Sequence, residues 1–173
     1  MSNEEKIKWC QENLLGKDIH VKEIDGKFII NGNVVLNDGI SALPFKIDEI
    51  HGSFVTKNSI TKRDGCLETL KNMPDVIFGK FDISMNPKLT TLEGGPKIVH
   101  GSYWCDNCNL TNLKGIAKQI DGSLLAFNNN ISDAAELMVT TIRESVFIGS
   151  NPVFEDFDNQ ITELRQKYGL KFE

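Results

Sequence analysis

The chain lacks most of the features that announce a function. No run of apolar residues is long enough to cross a bilayer as a helix. The N-terminus, "MSNEEKIKWC", is acidic and has no apolar stretch of the signal-peptide kind, so a cytoplasmic location is expected. Cysteine is scarce, with 4 in 173 residues, and in a reducing compartment these are expected to be thiols. There is no P-loop, no Rossmann fingerprint, no G-x-S-x-G elbow and no H-E-x-x-H. Acidic residues are plentiful, but no recurring pair is spaced for acid–base work, and Asp82 and Asp106 read as solvated charges in different columns. No cofactor is expected, and an enzyme is not. The net charge of −5 and pI of about 5.3 argue against a nucleic-acid partner held through its phosphates. The charges are scattered, so the chain reads neither as a DNA mimic nor as an acidic tail.

What is present is repetition. The segments "IDGKFIINGN", "IHGSFVTKNS", "IFGKFDISMN", "VHGSYWCDNC" and "IDGSLLAFNN" align on Gly26, Gly52, Gly79, Gly101 and Gly122. A sixth, degraded copy, "RESVFIGSNP", places Ser145 where the glycine would stand. Between them recurs L-x-x-L, often followed by proline, as in "LETLKNMP" and "LTTLEGGP". Asn86, Asn107, Asn128 and Asn151 form a further column, expected to satisfy turn amides at the strand exit. Repeats of about 20–29 residues with one short strand each predict a leucine-rich-repeat-like solenoid. The fold class is therefore an α/β repeat of about six rungs in one parallel sheet. It is a single domain over 1–173, with repeats over 24–154 and helical caps at 1–16 and 156–169. Ser2 and Glu5 make an S-x-x-E capping box for the first cap, with Ile7, Cys10 and Leu14 on one face and Gly16 as its stop. Phe157, Ile161, Leu164 and Tyr168 have helical spacing in the second.

Alternation across the strand sorts the columns. Phe28, Phe54, Phe81, Tyr103, Leu124 and Phe147 are predicted to stack inside, with Ile24, Ile50, Ile77, Val99 and Ile120 in a second inward column that Arg143 breaks. A third inward column holds Ile30, Thr56, Ile83, Cys105, Ala126 and Gly149. The C-x-x-C of "HGSYWCDNCNL" is thus one rung: Cys105 falls in the core and Cys108 at the turn. A structural zinc site usually takes two such pairs, and Cys10 and Cys66 stand alone. His51 and His100 share a column but lie two rungs, about 10 Å, apart. His20 has no partner in the pattern.

The units "LTTLEGGPKIVHGSYWCDNCNLTNLKG" resemble the short leucine-rich-repeat-like proteins of large tailed bacteriophages. That resemblance implies a virus-encoded protein acting in a bacterial cytoplasm. The outward column is the place to look for a partner: Ile29, Val55, Asp82, Trp104, Leu125 and Ile148, all apolar except Asp82, with Phe127 beside Trp104 and Leu125. The expected activity is non-enzymatic binding of a protein, such as a host or defence factor, centred on Trp104, Leu125 and Phe127. The alternatives are a self-assembling virion component, a homo-oligomer through the same column, or a cap folded over it. A Cys/His metal or redox protein is the remaining class.

Overall fold

A computed structural model describes residues 1–16 and 18–153. It shows a β-solenoid of about five turns with little helix. The second expected cap, 156–169, lies outside the described residues.

The chain starts with helix α1 (Asn3–Asn13). The expected capping box closes it: the Ser2 amide donates to Glu5 Oε2 at 2.7 Å, and the Glu5 amide to Ser2 Oγ at 3.2 Å. The helix stops before Gly16, because Leu14 and Leu15 leave as β1 (Leu14–Leu15). Next come β2 (His20–Ile24), β3 (Lys27–Asn31), β4 (Val34–Leu36), β5 (Glu49–His51), β6 (Phe54–Thr56) and the short helix α2 (Lys57–Thr61). Two-residue strands complete the solenoid: β7 (Val76–Ile77), β8 (Phe81–Asp82), β9 (Ile98–Val99), β10 (Tyr103–Trp104), β11 (Gln119–Ile120), β12 (Leu124–Leu125), β13 (Thr141–Ile142) and β14 (Val146–Phe147).

Each rung carries two strands, so the single expected sheet is in fact two. Sheet I runs β1-β4-β6-β8-β10-β12-β14 and sheet II runs β2-β3-β5-β7-β9-β11-β13. All pairings are parallel except β1 with β4 and β2 with β3, at the N-terminal end. The recurring glycine is the corner between the sheets. A Cβ on Gly52 would lie 2.2 Å from the Gly32 carbonyl oxygen, and one on Gly101 2.7 Å from that of Gly79. Consecutive corners therefore stack backbone on backbone, and a side chain there would force the rungs apart.

Register corrects both ends of the repeat. Val34 pairs with Phe54 and Ile30 with Ile50, so the first corner is Gly32 and not Gly26. Asp25 (φ 51°) and Gly26 (φ 77°) instead make the tight turn of the β2–β3 hairpin, whose paired positive φ values suit its twist. Ile24, expected inside, is 49% exposed on that hairpin. Phe28 is buried, but against Phe45 at 5.4 Å and not in the ladder. At the other end Leu124 pairs with Val146 and Ile120 with Ile142, one residue earlier than the sequence alignment. This shift puts Val146 and Ile148 inside and turns Arg143 out to bond Asp121 at 2.9 Å. The expected register would have buried the guanidinium. Glu144 thus takes the sixth corner, and Phe147 is half-buried on the outer face.

The inward column of sheet I is therefore Val34, Phe54, Phe81, Tyr103, Leu124 and Val146, all buried. Its aromatic part is three rings long: Phe54–Phe81 centroids are 5.6 Å apart and Phe81–Tyr103 4.9 Å. Ile50, Ile77, Val99 and Ile120 line sheet II, and the L-x-x-L residues Leu67, Leu70, Leu89, Leu92, Leu110 and Leu113 close the third side, all with essentially no exposure. One rung cannot bury its apolar face alone; stacked, the rungs share one core.

The asparagine column is two columns. Met85, Asn107, Asn128 and Ser150 take the left-handed turn conformation (φ 51–62°). The next residue is the buried one: Asn86, Cys108, Asn129 and Asn151. Each of these asparagines ties two rungs. Its amide donates to a carbonyl three residues back (Asn86 to Ile83, Asn129 to Ala126, Asn151 to Ile148, 2.7–3.1 Å). Its oxygen accepts the amide of Leu67, Leu110 or Ile131 at 3.0–3.1 Å. Cys108 interrupts this ladder.

Candidate functional site

Side chains that point away from the core along sheet I alternate with the inward ladder. With the observed register the outer column is Val35, Val55, Asp82, Trp104, Leu125 and Phe147, since Trp104 pairs with Asp82 and Leu125, and Leu125 with Phe147. Trp104, Leu125, Phe127 and Val55 are on this face as expected, each half-buried. Ile29 and Ile148 are not. Ile29 is 8% exposed and belongs to β3 of sheet II, because the first rung begins at Gly32. Ile148 is 2% exposed and points inward, because the last rung is shifted by one residue. Phe147 takes its place. The signal for that exchange is Arg143, a charge that the uncorrected register places in the core.

Polar groups edge the column. Asp82 is buried and not solvated as its sequence position suggested. Its carboxylate accepts from Ser84 Oγ at 2.6 Å and from Lys80 Nζ at 2.9 Å. The same ammonium lies 4.0 Å from the centroid of the Trp104 ring. Such a contact is a cation–π interaction, since the ring face carries negative charge density. The indole Nε1 of Trp104 is buried and has no acceptor among the described residues. Asp106, one rung on and one column over, is also buried, and burial raises its pKa above the ordinary carboxylate range; its oxygen accepts from Asn107 Nδ2 at 2.8 Å.

The outer face of sheet II carries a different column. His51, Phe78 and His100 stack on successive rungs, with centroids 4.6 and 5.0 Å apart. Phe78 is 49% exposed and separates the two imidazoles, as the spacing predicted. Each histidine is held by a carboxylate: His51 by Glu49 at 3.0 Å and His100 by Asp121 at 2.7 Å. Those carboxylates are in turn bonded by Lys27 and Arg143, both at 2.9 Å. Hydrogen bonding to the imidazoles, then to Lys27 and Gln119, holds Glu49 and Asp121 below the usual carboxylate range. His20 is exposed on β2, beside a cleft of about 440 Å³ between the first helix and the hairpin.

All four cysteines are thiols. Cys105 is fully buried, and burial pushes its pKa well up. Cys10 and Cys108 are pushed up to about 12, again chiefly by burial. Thiols so shifted are weak nucleophiles, because the thiolate is the reactive form. Cys108 lies at the turn as expected, and it is buried there, 9% exposed, with its S–H pointing at the Ile83 carbonyl at 3.4 Å. Among the described residues no three His, Cys, Asp or Glu side chains come together as a metal set. None of the described helices is long and apolar enough to cross a membrane. No known protein family, curated protein or solved structure matches the chain.

Proposed function

We propose that the protein is a non-enzymatic binding module whose partner protein docks on the outer face of sheet I, over Trp104, Leu125, Phe127 and Phe147, with Val55 at the margin. One observation carries this reading: four large apolar side chains stand next to one another on a rigid parallel sheet, each half-buried, on a face where a solvated sheet would carry polar groups. Tryptophan and other aromatics concentrate in the energetic centres of interfaces. A ring on a paired strand also loses little freedom when a partner closes on it. The finer reading, a leucine-rich-repeat-like protein with a helical cap at each end, rests on the repeat pattern. Phage origin, a cytoplasmic setting and a host or defence protein as the partner rest on the sequence resemblance. Self-association through the same column is the competing outcome.

The test is affinity capture from bacterial lysate with wild type, Trp104→Ala and Leu125→Asp, alongside sedimentation of the pure proteins. The expected result is a captured protein lost with either substitution while the melting temperature moves little. A wild-type dimer that Trp104→Ala converts to a monomer assigns the column to self-association. Loss of the fold in Trp104→Ala places the docking surface elsewhere.

A further inference from the structure

We infer that Lys80 is a displaceable shutter over Trp104, clamped shut by Asp82. The inference rests on the proposed docking face for its purpose, but not for its observations or its test. Lys80 follows the corner glycine of its rung, so its stem runs from the corner along the outer face of sheet I. Two contacts fix the ammonium: the Asp82 carboxylate at 2.9 Å and the Trp104 ring at 4.0 Å. The partners differ in what they can do. Asp82 is buried, with its side chain 5% exposed, and Ser84 holds its other oxygen through both the hydroxyl at 2.6 Å and the amide at 3.2 Å. It is a fixed post. The Lys80 side chain is 34% exposed and ends a flexible four-carbon stem. It is the moving part.

In the closed position the ammonium covers one face of the indole. A half-buried apolar column on a sheet face is also a surface through which copies of a chain can associate, and a charge laid over it opposes that. Lys80 thus withholds the largest anchor of the face until a partner supplies contacts that replace both the cation–π contact and the ion pair to the buried Asp82. Swinging the stem aside exposes the ring without disturbing the core, because Lys80 has no place in the inward columns.

Tryptophan accessibility tests this without a partner. In a Trp9→Phe background, Trp104 is the only indole, and acrylamide quenching of its fluorescence reports the exposure of the ring. Lys80→Ala and Lys80→Gln should each raise the quenching constant about two-fold, and Lys80→Arg, which keeps a cation on the ring, should leave it at the background value. The Gln variant removes the cation, keeps two of the four methylenes of the stem and covers the case in which the Ala variant folds poorly, with circular dichroism as the control for folding. Quenching in a folded Ala or Gln variant equal to that of the Arg variant overturns the shutter. Because no partner is present, that result is separate from any failure of the docking reading.

Discussion

Replacing Cys108 with asparagine should stabilise the protein, although it enlarges a buried side chain. The ladder supplies the reason. At Asn86, Asn129 and Asn151 the side chain joins a carbonyl of its own rung to the amide of a leucine or isoleucine in the rung before. At position 108 the corresponding amide belongs to Leu89. Without an oxygen to meet it, that amide turns to the Asn86 carbonyl at 3.0 Å. The thiol offers only weak sulfur contacts, 3.4 Å to the Ile83 carbonyl and 3.7 Å to that of Asp106. An asparagine would exchange these for one acceptor and two donors in the geometry its neighbours show. A net hydrogen bond contributes about 0.5–1.5 kcal/mol, and one of the new bonds merely replaces an existing one. Crowding by the larger side chain is limited, since the rungs on either side hold asparagine in the same place. The expected gain is about 1 kcal/mol, or a rise in melting temperature of about 2–4 °C for a chain of this length. Urea and thermal unfolding of Cys108→Asn, Cys108→Ser and wild type measure it. The serine variant is too short to span the rungs and should not gain. A Cys108→Asn protein less stable than wild type by more than 1 kcal/mol would show that the position selects for small size, and the ladder argument would be wrong.

Phe81→Ala, in the middle of the three-ring stack, should cost about 3–5 kcal/mol by urea titration, as a large-to-small change in a filled core. Asp106→Asn should raise stability at pH 7. The native carboxyl titrates above its unfolded value, so the folded form binds more protons in that interval and wild-type stability falls as pH rises through it. The advantage of the neutral isostere should vanish once the pH drops below the unfolded value, and an advantage that persists there would point to packing instead. Glu49 and Asp121 act with the opposite sign: their depressed values add stability above the unfolded carboxylate range that is lost as pH falls through the folded values. Glu49→Gln should therefore flatten the acid limb of a stability–pH curve.

The middle of the solenoid was legible in the sequence, and the ends were not. Gly52, Gly79, Gly101 and Gly122 identify the corners because close stacking excludes any side chain there. The pattern then fixes the parity of Phe54, Phe81, Tyr103 and Leu124, and with it the outward direction of Trp104, Leu125 and Phe127. At the start a glycine serves a different purpose. Gly26 fits the repeat by spacing, but Asp-Gly between alternating apolar residues is also a hairpin signal, and the true corner is the next glycine, Gly32. At the end no glycine stands at the corner, and only the cost of burying Arg143 separates two registers. The number of sheets was not legible, because a strand bent at a corner and a straight one share the same alternation. Nor were the neighbours of Trp104. Whether Lys80 reaches the ring and whether Asp82 is buried depend on contacts between rungs, which spacing along one rung does not contain.

The two antiparallel strands at the N-terminal end have a consequence for how copies of the chain can add to one another. A stack of parallel rungs is a template at each open end, since the last strand offers unpaired amides and carbonyls to any extended segment. Here β1 and β2 each run against the direction of the stack, and one closes each sheet. A further parallel rung arriving at that end meets a strand of the wrong polarity in both sheets at once, with α1 folded beside it. The parallel ladder of the stack therefore ends there, and a rung added in the direction of the stack would have to pair antiparallel in both sheets, as β4 and β3 already do with β1 and β2.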